Sequence, residues 1–181
     1  MPGPIAIAAG DVARRLGELA AILSTRHGDG LVLLPVLPEA GALAADLEAR
    51  LSVPVDREDL HVTAFGSGEE RARLARTGDT DLAGRDVLVL TAIVDTGLRL
   101  RFAIQALQAY APSSLAVLTL LDRPDRRIVD IPLEHVGFTV PDCRFAGYGL
   151  GREPSLTALR DVHYRDSASA ERARRGRLLI A

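Results

Sequence analysis

The strongest constraint on this chain is a set of apolar runs of strand length: LVLLPVL (31–37), DVLVLTAIV (86–94) and SLAVLTLLD (114–122). A strand with one wet face alternates polar and apolar residues. Runs that stay apolar belong to strands covered on both faces, the habit of a parallel sheet. LHVTAF (60–65) is a further strand. Helical patterns lie between these runs. Behind Asp11, a good cap, Val12, Leu16, Leu19, Ile22 and Leu23 fall at helical spacing until Gly28 and Gly30 break the pattern. Leu43, Leu47 and Leu51 share a face over 42–51, and 98–110 is helical after the third run. Strands alternating with helices at this spacing predict an α/β fold, a parallel sheet flanked by helices, with strands near 31–37, 60–65, 86–94 and 114–121.

The 181 residues suffice for one domain with its own core. We divide it as a core over about 10–122, a small hood over about 123–165 and an extra tail over 166–181. VGFTVPDCRFAGYGLG reads as two short strands around a Pro-Asp turn, and the tail as a Ser-capped, solvated helix. Residues 66–83 are polar and Gly-containing, show no regular element, and are expected to be mobile without ligand. A net charge of −2 and a pI near 6.1 argue against a nucleic-acid partner. No apolar run reaches membrane-spanning length, the first ten residues lack a signal peptide's basic start, and the lone Cys143 has no internal partner. A cytoplasmic protein is expected. His27, His61, His135 and His163 have no metal-ligand spacing, and Cys143 has no activating neighbour.

The chemistry concentrates in VDTGLR (94–99), a turn between a strand and a helix. At the carboxyl end of a parallel strand, successive backbone N–H groups and the following helix dipole form a cradle for an anion. Gly97 lets the backbone approach, and the Thr96 hydroxyl adds a donor. A phosphate monoester suits such a site, and the alternative on local sequence alone is a plain strand-to-helix turn with a glycine and an Asx-type Asp.

Residues 87–100 resemble the phosphoribosyl-pyrophosphate (PRPP) loop of type I phosphoribosyltransferases. LLDRPDRRIVDIPLEHVGFTVPDCRFAGYGLG (120–151) is similar to the base-binding segment of their hypoxanthine-guanine branch. The resemblance spans roughly 10–165. It implies that Asp95, Thr96, Gly97, Leu98 and Arg99 form the 5′-phosphate loop. It makes Asp95 the carboxylate that handles the base proton, Arg123 the donor to the purine 6-oxo group, and Phe145 the stacking ring. The Ala146 backbone would read the base edge.

Other positions depart from the pattern. Thr91 and Ala92 stand where the family has two acids for the ribose hydroxyls. Pro38-Glu39-Ala40 replaces its Lys-Gly-Gly pyrophosphate loop, Ala64-Phe65 the Ser-Tyr of its lid, Gly151 a metal-assisting acid, and Arg99 a Ser or Thr. The resemblance therefore implies a nucleoside 5′-phosphate binder in which PRPP-dependent transfer is weak or altered. No metal site of the chain's own is expected, and Mg²⁺ only if PRPP is used. The alternative is a non-catalytic nucleotide sensor or the silent partner of an active relative. A purine nucleotide or related small molecule is the implied ligand, and a homo-oligomer or a pairing with an active relative the implied assembly. Arg99 either points to solvent, pairs with an acid such as Asp95 or Asp122, or grips the phosphate.

Overall fold

A computed structural model describes residues 3–28, 30–63 and 72–175. In chain order the elements are β1 (Ile5–Ile7), α1 (Ala9–Arg26), β2 (Leu31–Leu37), α2 (Gly41–Glu48), β3 (Val55–Arg57), β4 (Leu60–Thr63) and β5 (Arg73–Arg76). Then come β6 (Asp86–Val94), α3 (Leu98–Gln108), β7 (Ser114–Asp122), β8 (His135–Thr139), β9 (Phe145–Ala146), α4 (Pro154–Thr157), β10 (Val162–Tyr164) and α5 (Ser167–Arg175).

The main sheet carries β4-β2-β6-β7-β8 as parallel neighbours, with β5 antiparallel on the β4 edge and β3 along the first half of β2. The apolar runs behave as double-faced strands. Leu31 and Leu33 of β2, with Leu88 and Leu90 of β6, pack on α1 and α2, burying Leu16, Leu23, Leu43 and Leu47. Val32 and Leu34, with Val87 and Val89, face the other way onto Leu100, Ala103 and Leu107 of α3. The direction in which successive parallel strands are added across the sheet reverses between β2 and β6, since β4 lies to one side of β2 and β6 to the other. Such a switch point leaves a crevice at the strand carboxyl ends.

Four local expectations change. The helix near Asp11 starts earlier, at Ala9, whose N–H donates to the Asp161 carboxylate at 2.7 Å, a cap supplied from far along the chain. The boundary at 122 does not separate two sheets. β8 extends the main sheet beside β7, and the small sheet has the order β1-β10-β9, so the N-terminal segment supplies one of its strands. Of residues 66–83, those from 72 onward are described, and they are ordered. Arg76 of β5 donates to both oxygens of Glu58, which is 3% exposed, at 2.7 Å each, and Leu82 is buried. The charged pair hid an edge strand that apolar patterning does not mark. The start of the tail is not a solvated helix either. Asp166 accepts the Ser169 N–H at 2.7 Å as the cap, and Ala170 and Ala173 are buried.

Candidate functional site

β6 delivers Asp95, Thr96 and Gly97 to the crevice, and α3 starts at once. Gly97 precedes the helix at φ +84°, and a Cβ there would sit 2.8 Å from Ile131 Cδ1 and 2.9 Å from Val129 Cγ2. Only glycine fits both demands. Among the described residues no side chain caps α3, so its first N–H groups remain available to an anion. The loop borders a cavity of about 240 Å³, lined among others by Thr91, Asp95, Thr96, Gly97, Arg99 and, from the β2 side, Glu39. Leu98 turns outward, 41% exposed, and does not line it.

Arg99 crosses this cavity to the β2 side. It donates to the Leu37 carbonyl at 2.9 Å and lies 3.5 Å from the Glu39 carboxylate. Its acidic partner is therefore neither Asp95 nor Asp122. Asp122 is taken by Arg127, and Asp95 by Arg123 and Arg126. The two departures Glu39 and Arg99 are thus one feature, an ion pair across the crevice, and Pro38 and Ala40 flank its acidic end. The Thr91 hydroxyl borders the cavity and donates to the Ile93 carbonyl at 3.2 Å. Ala92 faces the core, 1% exposed. Period-two alternation explains the difference.

Asp95 joins this cavity to a second one of about 510 Å³. Arg123, only 12% exposed in its side chain, holds Asp95 at 2.9 Å and donates to the Cys143 carbonyl at 2.6 Å. Arg126 holds the other Asp95 oxygen at 3.0 Å and is 3.7 Å from Asp142. Phe145 does not serve as a stacking ring here. It is buried against Tyr164, with ring centroids 5.6 Å apart, while its neighbour Arg144 lines the cavity. Ala146 is fully buried, pairs with His163 across the small sheet and lines neither cavity. The base-segment expectation was therefore out of register with the strand's alternation. Ser169 and Arg172 of α5 complete the wall. Arg126 and Arg172 were missed, though the arginine-rich DRPDRR and ERARR stretches were the available clue; Arg144 lies in neither, directly before Phe145. Cys143 is buried, donates to the Ser169 carbonyl at 3.1 Å, and has its thiol pKa pushed up by burial.

Gly151 lies in a third depression with Pro38, Glu39 and Gly149, where the segment after β9 meets the loop after β2. Tyr148 anchors that segment, its hydroxyl donating to Asp46 of α2 at 2.8 Å. Ala64 and Phe65 lie outside the described residues. Among the described residues no three His, Cys, Asp or Glu side chains converge, and Asp95 is already held by two guanidiniums. His27 bonds Asp86 at 2.8 Å, and His163 the Gly3 carbonyl at 3.0 Å.

A parallel sheet with its switch point at the loop over residues 95–99, joined through Asp95 to a polar second cavity, is an architecture that the phosphoribosyltransferase class shares. The chain belongs to the phosphoribosyl transferase domain family, whose model matches residues 8–151. It is 35% identical to the hypoxanthine phosphoribosyltransferase of Salmonella typhimurium over 77% of this chain and 82% of that protein. It is 34% identical to the hypoxanthine-guanine phosphoribosyltransferase of Mycobacterium tuberculosis over 85% of this chain and 76% of that one. A hypoxanthine-guanine phosphoribosyltransferase structure from Bacillus anthracis superposes with TM-score 0.85 at 28% identity, covering 92% of this chain and 99% of its own.

Proposed function

We propose that this protein is a purine phosphoribosyltransferase-family member that holds a nucleoside 5′-phosphate on residues 95–99 and performs PRPP-dependent transfer weakly or in altered form. The relatives' names support the purine branch. The observation that carries the rest is the Glu39–Arg99 pair, 3.5 Å apart across the phosphate cavity. It puts a carboxylate on the side where a pyrophosphate would lie, and a cation on the side of the 5′-phosphate. In this reading α3 and Thr96 cradle the phosphate, and Arg99 adds a guanidinium whose Leu37 contact fixes its direction. Arg123 donates to the base. Asp95 lies between base and ribose, positioned to take a proton as pyrophosphate leaves an oxocarbenium-like ribosyl centre. Mg²⁺ would enter only with PRPP, since the chain's own donors do not assemble a site. A cytoplasmic setting and a homo-oligomer, or a pairing with an active relative, complete the proposal.

A second reading, a non-catalytic nucleotide sensor or silent subunit, is favoured by Asp95 itself, whose two oxygens are both occupied by guanidiniums. Calorimetry with a purine 5′-monophosphate and with PRPP plus Mg²⁺, alongside an assay for nucleotide formation, separates the readings. Two missing charge-assisted hydrogen bonds to the ribose, each worth roughly 1.5–3 kcal/mol, predict PRPP binding weaker by about two to four orders of magnitude. Slow product formation supports transfer, and its complete absence with intact monophosphate binding supports the sensor. Micromolar PRPP affinity with robust turnover of hypoxanthine or guanine overturns both.

A further inference from the structure

The second cavity is strongly charged for a pocket that receives a flat, neutral base. Its wall carries Arg123, Arg126, Arg144 and Arg172, and no aromatic ring lines it among the described residues, Phe145 being turned into the core. The acids present are committed. Asp95 and Asp142 lie against Arg123 and Arg126, and Asp166 accepts the Ser169 N–H. Arg144 and Arg172 have no carboxylate within ion-pair distance among the described residues. The one hydrogen bond of Arg172 there is a 3.5 Å contact to the Asp142 carbonyl. Two unpaired guanidiniums therefore face a space of about 510 Å³, large enough for a single ring and its substituents. The positive field of Arg144 is felt nearby. Asp166 is held below the usual carboxylate range first by its bonds from Ser169, and then by Arg144 and Arg165. One of the two cations comes from α5, beyond the 8–151 segment that matches the family.

We propose that this cavity selects a ring bearing a carboxylate over a neutral oxopurine, with Arg144 and Arg172 as the specificity-determining residues. The inference rests on the 5′-phosphate reading of residues 95–99 and replaces the neutral purine expected beside it with a carboxylated ring. A guanidinium plane stacks on a ring as well as pairing with a carboxylate. Arg144 and Arg172 thus supply both of the interactions that a buried aromatic and a neutral donor would otherwise divide. No covalent step is implied beyond the transfer already described.

The test is calorimetric titration of the full chain, at neutral pH and low salt, with matched pairs of rings. Orotate is compared with uracil, and nicotinate with nicotinamide, with hypoxanthine as the neutral purine. The carboxylate member of each pair should bind at least about tenfold tighter than its uncharged counterpart and than hypoxanthine. The preference should shrink in Arg144→Ala and Arg172→Ala and vanish in the double variant, with Arg172→Lys retaining part of it. Both side chains are exposed, so the variants should fold, which thermal melts check. Equal or better binding of the neutral rings overturns the inference, as does binding of none of them, or a preference that survives in the double variant. Ribose 5-phosphate, which reaches only residues 95–99, is titrated in parallel. Its failure to bind overturns the loop reading instead, so the two outcomes are distinguishable.

Discussion

Replacing Glu39 by Gln removes one charge from the phosphate cavity and preserves the side chain's shape. In the free protein the cost is small, because Glu39 and Arg99 are 34% and 39% exposed at 3.5 Å, and such pairs contribute at most about 1 kcal/mol. With a phosphate on residues 95–99 the balance reverses. Taking a phosphate on residues 95–99 to lie about 6 Å from the Glu39 carboxylate, the width of a cavity of about 240 Å³, sets the scale. Unit charges at that distance repel by about 0.7 kcal/mol at the dielectric of water and about 3 kcal/mol at an effective value of 20. The exposure of Glu39 favours the lower part of that range, about 1 kcal/mol per phosphate charge. Releasing Arg99 from its partner adds in the same direction. Glu39→Gln should therefore bind purine 5′-monophosphate about five- to fiftyfold tighter by calorimetry, with the gain shrinking as salt is raised. Unchanged or weaker monophosphate binding, in a variant with an unchanged melting temperature, would show that Glu39 does not face the anion and refute the reasoning.

Arg99→Thr, which restores the family residue type, should lower monophosphate affinity at least tenfold, about 1.4 kcal/mol, while binding of the unphosphorylated nucleoside holds. Combined with Glu39→Gln the loss should be smaller than the sum, which a double-mutant cycle reads directly. Glu58→Ala leaves Arg76 buried without its carboxylate and should cost about 3 kcal/mol in urea unfolding, with little change in ligand affinity. Stability should also fall with acid in two stages. Burial holds His135 below its ordinary pKa, so the folded state resists the proton that the unfolded chain accepts, and stability declines below about pH 6.5. Hydrogen bonds from Ser114, His27 and Ser113 hold Asp86 down to about 2, so its contribution is present above about pH 4 and is lost between there and about pH 2. Urea melts across that range check both stages.

The sheet was legible because β2, β6 and β7 are apolar on both faces, a pattern few other folds require. The strand-to-helix turn at Gly97 was legible because a strand, a glycine and a helix adjoin in sequence, so the local run contains the geometry. What failed was non-local or a matter of register. Asp161 capping α1, β1 pairing with β10, and Glu39 meeting Arg99 each join residues far apart in the chain, and nothing in a local window marks them. Phe145 was misplaced because in a two-residue strand a single step in register exchanges the core for the cavity. β5 was missed because its inward-facing Arg76 is satisfied by Glu58, so a polar residue does the work of an apolar one.

Gly149 approaches the loop after β2 so closely that a Cβ on it would lie 2.4 Å from the Glu39 carbonyl oxygen. That loop is therefore bracketed, by backbone on one side and by Arg99 on the other. The bracketing bears on how such a crevice can change over generations of substitution. A lone substitution toward a roomier corner leaves the constraint from the other side in place, so the corner opens fully only when both sides change.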